Sequence, residues 1–452
     1  MTSPTVVWLR DDLRVDDNPA LAAAAARGGA IVVLYLLDEA SPESRPLGGA
    51  SRWWLHGSLG ALADAVAERG GRLTLRRGAA ETVVPRLVGE AGAGAVYWNR
   101  RYGASREVDA RLKQRLRDDD VEVRSFAANL LHEPWTVQTE QGAPYRVFTP
   151  FWRAAQERPV RALAPAPDSM HAVEVESDDL AEWTLLPTAP DWAGGLRETW
   201  TPGEAAARDS LDDFVADTLG DYHERDRPEL TVTSRLSPRL RFGEVSPVQV
   251  WHRLNGELDD AGRRNAGKFL SELGWREFNT SILFSTPDLA TRNYRSSFDA
   301  FEWADPDPAE LDAWRHGRTG IPLVDAGMRE LWHTGYMHNR VRMVTASFLV
   351  KNLLTDWRVG EQWFWDTLVD SDEANNAANW QWVAGSGADA APFFRVFNPE
   401  LQRTKFDPHG RYVRRWVPEY GTPEYPEPIV DLGETRRRAL AAYERMRRTS
   451  PA

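Results

Sequence analysis

Residues 5–37 read TVVWLRDDLRVDDNPALAAAAARGGAIVVLYLL. Two short apolar runs, 5–9 and 31–37, have the length and continuity of strands buried on both faces. Between them Asn18-Pro19 supplies an N-cap and a first-turn proline, and an alanine-rich helix follows. A strand, a helix and a second strand in this order make a parallel crossover unit. The alternation continues, with strands predicted at 73–76, 95–98 and 121–126. Helices are predicted to open at Ser51 and to cover 81–91 and 105–117. The first 130 residues therefore predict a parallel, doubly wound α/β sheet, which takes ligands at the carboxyl ends of its strands. The cluster Arg10-Asp11-Asp12-Leu13-Arg14 follows the first strand. A ligand loop and a solvated charged turn both fit it.

The chain has 452 residues, 42% of them hydrophobic, enough for a large core and at least two domains. It has no cysteine, which excludes disulfides, zinc–thiolate sites and cysteine-held iron–sulfur clusters. No GxxxxGK[ST] motif is present, and Gly92 and Gly94 precede a strand rather than follow one, so an ATP-binding P-loop is not expected. No apolar run is long enough for a membrane, and MTSPTVVWLR lacks a signal-peptide pattern, so the expected location is the cytoplasm. The net charge of −12 is uneven. Residues 168–217 carry 13 acidic and 2 basic side chains; residues 391–416 carry 6 basic and 2 acidic ones. One region repels phosphate and the other attracts it.

Residues 131–200, rich in Pro, Ala and acids, predict a long linker over the surface. From 201 to 448 the pattern is helical. Thr233-Ser234-Arg235-Leu236-Ser237-Pro238 stands just before a helix; hydroxyls and free N–H groups there suit a pyrophosphate, or the residues are ordinary caps. The spacing predicts a helix over 268–283 with Glu272, Trp275 and Asn279 on one face. Glu272 is there either a surface acid or a buried carboxyl of raised pKa. In the stretch 332–406, Asn339, Arg342 and Met343 share one helix face, while Asn376 and Trp380, four apart, share another. Asp370 and Asp372 lie in a polar break between them. Polar groups among tryptophans must find partners, so this stretch reads as the wall of a deep pocket for a large, flat, polar-edged ligand. Most of the 20 tryptophans belong in a core; Trp303, Trp314, Trp357 and Trp380, on separate helices, could instead pass electrons to a redox centre. Arg395, Arg403, Lys405, Arg411, Arg414 and Arg415 alternate with Phe393, Phe394, Phe397, Phe406 and Trp416. The interleaving favours nucleic acid over a merely solvated basic face.

Six segments, in order, carry a resemblance to the photolyase/cryptochrome family over about residues 5–430: WLRDDLRVDDNPAL, TSRLSPRLRFGEVSP, FLSELGWREF, GRTGIPLVDAGMREL, TGYMHNRVRMVTASFLVKNLL and WFWDTLVDSDEANNAANWQW. The resemblance implies an α/β antenna domain, a linker and a helical domain that holds FAD in a U shape. It places Tyr222, Thr233, Ser234, Leu236 and Ser237 at the flavin phosphates. Arg342 and Asp370 pair beside the isoalloxazine ring, Asp372 faces its polar edge, and Asn376 lies against N5, favouring the reduced flavin. Trp380, Trp357 and Trp303 form the electron-hopping chain, and Arg340, Arg395 and Gln402 contact or wedge the lesion strand.

Glu272, Trp275, Asn339 and Met343, with Trp382 as a second aromatic wall, match the enzymes for cyclobutane pyrimidine dimers in DNA. The (6-4) photolyases place histidines at the positions of Asn339 and Met343. Many cryptochrome photoreceptors lack the glutamate and the tryptophan. FLSELGWREF and VDAGMRELW resemble the subclass nearest plant cryptochromes. The expected reaction is light-driven dimer splitting by an electron from excited reduced FAD. A blue-light photoreceptor, a (6-4) photolyase and a non-photoactive flavin-binding nucleic-acid module are the alternatives. The family also uses an antenna chromophore, here folate rather than deazaflavin, although residues 99–105 depart from the folate-contact pattern. Most relatives act as monomers.

Overall fold

The computed structural model describes residues 2–256, 258–390 and 394–449. Five parallel strands form one sheet: β1 (Thr5–Leu9), β2 (Ile31–Leu37), β3 (Leu73–Arg77), β4 (Ala95–Asn99) and β5 (Glu122–Phe126), in the order β3-β2-β1-β4-β5. Thr5 pairs with Ile31 on one side and with Ala95 on the other. Strand residues alternate between two buried layers: Val7 and Leu9 join one apolar cluster, Val6 and Trp8 the other. Both faces are thus covered, as a parallel sheet requires. The helices are Pro19–Arg27, Gly49–Ala67, Ala80–Ala91 and Arg106–Asp118. The predicted elements match these within two residues at each end.

The charged cluster after β1 is not a solvated turn. Asp12 and Arg14 are buried. The Arg14 guanidinium donates to the carbonyls of Asp17 (3.1 Å), Ala128 (3.2 Å) and Gly243 (2.9 Å). Gly243, at φ +65°, lies where a Cβ would fall 2.1 Å from the Asp11 carbonyl oxygen. Only glycine permits that approach. The sheet is stapled to the helices in this way.

Beyond residue 126 the described residues form no sheet. The longest helix, Asp260–Ser285, starts at the Asp259 cap and so begins eight residues earlier than the apolar spacing predicts. Residues 131–200 do not simply run over the surface. Helix Phe148–Gln156 buries Phe148, Phe151 and Trp152 in the cluster that holds Phe269, Leu273 and Phe278. Trp183, Leu185 and Trp200 bury against the sheet. An acidic, proline-rich composition hid these large apolar side chains, which are few but decisive. No described helix is long and apolar enough to cross a membrane.

Candidate functional site

Helix Asn339–Ser347 opens at His338, whose Nδ1 accepts the Arg340 N–H (3.2 Å). Its Nε2–H donates to the Arg225 carbonyl (2.8 Å). Burial pushes this imidazole down to about 4, so it stays neutral with that tautomer. The helix presents Arg342, whose fork meets Asp370 at 3.0 and 2.8 Å. Ser237 Oγ donates to the same carboxylate at 2.6 Å. Such a paired, hydrogen-bonded charge can sit in a dry pocket. Ser237 begins the one-turn helix Ser237–Arg241, after Arg235 has taken a left-handed φ of +51°. Ser234 Oγ accepts the Leu236 N–H at 3.3 Å. Thr233 is half-buried beside it, and Tyr222 is buried against Phe214 and Phe269. Burial raises the Tyr222 phenol, aided by the charge of Glu272.

Asp372 spends its oxygens on the start of helix Asn375–Ala384, taking N–H groups of Ala374 (2.9 Å) and Asn375 (2.7 Å) and the Asn375 amide (2.8 Å). Asn376 donates both amide hydrogens to Glu361, to the carboxylate (2.8 Å) and to the backbone carbonyl (3.0 Å). One turn on, the buried Trp380 Nε1–H has no partner among the described residues. Buried donors are nearly always paired, so this orphan, one turn from Asn376, fits a site completed by a polar-edged ring system. The residues present fit FAD.

Trp380 packs onto Gly360 of helix Trp357–Thr367, where a Cβ would come 2.1 Å from its ring. Trp357 stands three residues before Gly360 and is fully buried. Trp380 and Trp357 lie in one apolar cluster, and the half-buried Trp303 packs against it. Trp314 also meets Trp380 edge-on at 6.3 Å.

Glu272 and Trp275 share a face of helix Asp260–Ser285. Glu272 accepts from Arg225 at 2.8 Å. Burial nevertheless raises its pKa, with Arg225 opposing. Trp275 and Trp382 line one small cavity together with Asn279. Phe148 lies flat on Trp275, centroids 3.8 Å apart and 9° from parallel. Asn339 is exposed and Met343 half-buried; Met343 Sδ lies 3.9 Å from Arg340 Nη1. Arg340 pairs with Asp226 at 2.9 Å and lies over Phe406. Arg395 is exposed, 6.0 Å from the Trp382 ring. Gln402, on helix Pro399–Phe406, keeps a buried Oε1 without a partner among the described residues. Phe393 lies outside the described residues. Sequence reading missed Phe148, Arg225, Asp226 and Glu361, because their partners are distant in the chain and follow no periodicity.

A second, larger cleft opens at the carboxyl ends of β1, β2 and β4, against the helices. Arg10, Tyr35, Arg45, Arg101, Asp372 and Glu373 are among its lining. It lies where strand order reverses, the usual ligand position in such sheets.

A doubly wound sheet joined to a helical region, in which a half-buried Arg342 pairs with the buried Asp370 and tryptophans pack in a shell, defines a two-domain protein suited to hold a cofactor. Residues 5–169 match the DNA photolyase family, and residues 269–422 match the FAD binding domain of DNA photolyase. The chain is similar to a deoxyribodipyrimidine photo-lyase of Agrobacterium fabrum, 50% identical with 99% of each chain covered. Cryptochrome-1 of Arabidopsis thaliana is 37% identical over 98% of this chain and 70% of its own. The crystal structure of a bacterial class III photolyase from Agrobacterium tumefaciens superposes with a TM-score of 0.94 at 49% identity, covering 99% of this chain and 98% of that one. The chain belongs to the photolyase/cryptochrome family and carries its FAD-binding domain.

Proposed function

We propose that this chain is a light-driven lyase that splits cyclobutane pyrimidine dimers in DNA. The observation that carries this reading is the convergence of Trp275 and Trp382 on one cavity, with Glu272 one turn from Trp275. Two indole walls suit a dimer flipped out of the duplex, a step made easier because a damaged base pair is already weakened. Reduced FAD, when bound and excited, supplies the electron that opens the cyclobutane ring and takes it back. Arg342 and Asp370 would orient the ring system of FAD, and Asn376 would face its N5. Tyr222, Thr233, Ser234, Leu236 and Ser237 take the phosphates, and Asp372 faces the polar edge through its backbone, its carboxylate being committed to the helix. Glu272, hydrogen-bonded to a pyrimidine C4 carbonyl, stabilises the charge that develops there. Asn339 and Met343 border the lesion, while Arg340, Arg395 and Gln402 hold its strand. Trp380, Trp357 and Trp303 carry electrons inward from the surface.

The cleft at the strand ends takes the antenna chromophore, folate rather than deazaflavin, and the protein works as a cytoplasmic monomer. The test is a repair assay with a single-dimer oligonucleotide, photoreduced protein, and blue or near-UV light beside a dark control. Dimer loss only in light supports the reading. No loss with reduced FAD bound moves the (6-4) lesion or a photoreceptor role to first place.

A further inference from the structure

The loop between β2 and helix Gly49–Ala67 is clamped onto helix Trp357–Thr367. Trp365 Nε1–H donates to the Pro46 carbonyl (2.9 Å), and the Gly49 N–H donates to Asp366 (2.8 Å). A Cβ at Gly48 would come 2.1 Å from the Trp365 carbonyl oxygen. Arg45 leaves this fixed loop, lies over the Trp365 ring at 3.9 Å, and forks onto Glu361 at 2.7 and 2.8 Å. It also donates to Gln362 Oε1 at 3.0 Å. The Glu361 side chain is only 3% exposed. The carboxylate that Arg45 holds is the one that takes the Asn376 amide. Both Asn376 amide hydrogens are committed to acceptors, so only Oδ1 is left to face the pocket.

We propose that Arg45, a residue of the sheet domain, is a positioning residue for the flavin pocket: through Glu361 it anchors Asn376 with Oδ1 turned toward the ring. The inference rests on the placement of Asn376 against N5. Arg45 has two effects. It holds the carboxylate in the rotamer that meets Asn376, and it cancels a buried negative charge next to the pocket. A carboxylate acceptor also polarises the amide, which makes Oδ1 a stronger acceptor for an N5–H group. Losing Arg45 removes both effects, and each change disfavours the reduced ring.

The test is the midpoint potential of bound FAD, measured with FAD content and the thermal midpoint as fold controls. Arg45→Ala is expected to shift the potential down. Arg45→Lys, which keeps the charge but lacks the planar fork, is expected to restore part of the shift and to remain folded if the alanine variant does not. In a Glu361→Gln background, replacing Arg45 is expected to add nothing, because the coupling runs through that carboxylate. If Asn376→Ala moves the potential and neither Arg45 variant does, the relay is overturned while the pocket assignment stands. If Asn376→Ala leaves the potential unmoved, Asn376 does not face the flavin and the inference falls with that placement.

Discussion

Glu272 acquires its role from three neighbours rather than from its own chemistry. Burial raises its pKa, Arg225 restrains it at 2.8 Å, and Trp275 sets its distance from the cavity one helical turn away. Changing Glu272 to Ala is expected to retain FAD and dimer binding but to lower repair per photon several-fold. A charge-assisted hydrogen bond contributes about 1.5–3 kcal/mol, and here it would form to charge that exists only after excitation. Quantum yield measured at saturating protein checks this, and an unchanged yield makes the carboxyl structural. The pair Glu272–Trp275 was legible because helical spacing puts both on one face. Arg225 was not, since nothing in the sequence ties a loop residue to an acid 47 positions later. His338 makes the same point: burial keeps it neutral against the pull of the Arg225 carbonyl, and neither is visible in TGYMHNR.

At the scale of elements, strands were legible because burial on both faces leaves continuous apolar runs, and the start of the first helix was legible from Asn18-Pro19. The packing of helix on helix was not, because it depends on which small residue meets which large one. Gly360 is such a case: a methyl group there would strike Trp380 at 2.1 Å and Leu349 at 2.7 Å. Gly360→Ala is expected to cost about 1–3 kcal/mol by overpacking and to slow flavin photoreduction by displacing Trp380. Thermal unfolding and transient absorption check the two effects separately. Helix Asp260–Ser285 offers a second case. Glu277 is buried, takes the N–H groups of Leu131 (2.9 Å) and His132 (3.2 Å), and is pushed up to about 7, mainly by burial. Its ordinary value is 4.5, so the unfolded chain loses the proton first as pH rises. Stability therefore falls between about pH 4.5 and 7 by as much as on the order of 3 kcal/mol from this group, and stays at the lower level above. Glu277→Gln keeps an acceptor for both N–H groups, so it is expected to flatten that fall. Denaturant midpoints at pH 5 and pH 8 measure it, and an equal fall in the variant would assign the loss to other groups.

For the whole molecule, a net charge of −12 must be reconciled with a DNA substrate. Affinity for a duplex depends on the few cations that reach phosphates, and each one neutralised contributes about −0.9 to the slope of log affinity against log salt. The two arginines proposed for the lesion strand differ in how free they are. Arg395 is exposed beside the Trp382 wall, with an aromatic ring as its neighbour and no ion pair among the described residues. Arg340 is held by Asp226 at 2.9 Å, on the same loop whose Arg225 holds Glu272. To meet a phosphate it must give up that partner, so part of its contribution is offset. Arg395→Ala is therefore expected to flatten the salt slope by about one, while Arg340→Ala weakens binding less than an unpaired arginine would. Asp226→Ala, which frees Arg340 and removes a negative charge from the rim, is expected to tighten binding to dimer-containing DNA at low salt, with the gain shrinking as salt rises. Titrations of a single-dimer duplex over a range of salt distinguish the three variants. A slope untouched by Arg395→Ala would take that residue off the contact surface. Weaker binding in Asp226→Ala would mean that the ion pair orders Arg340 for the phosphate rather than competing with it.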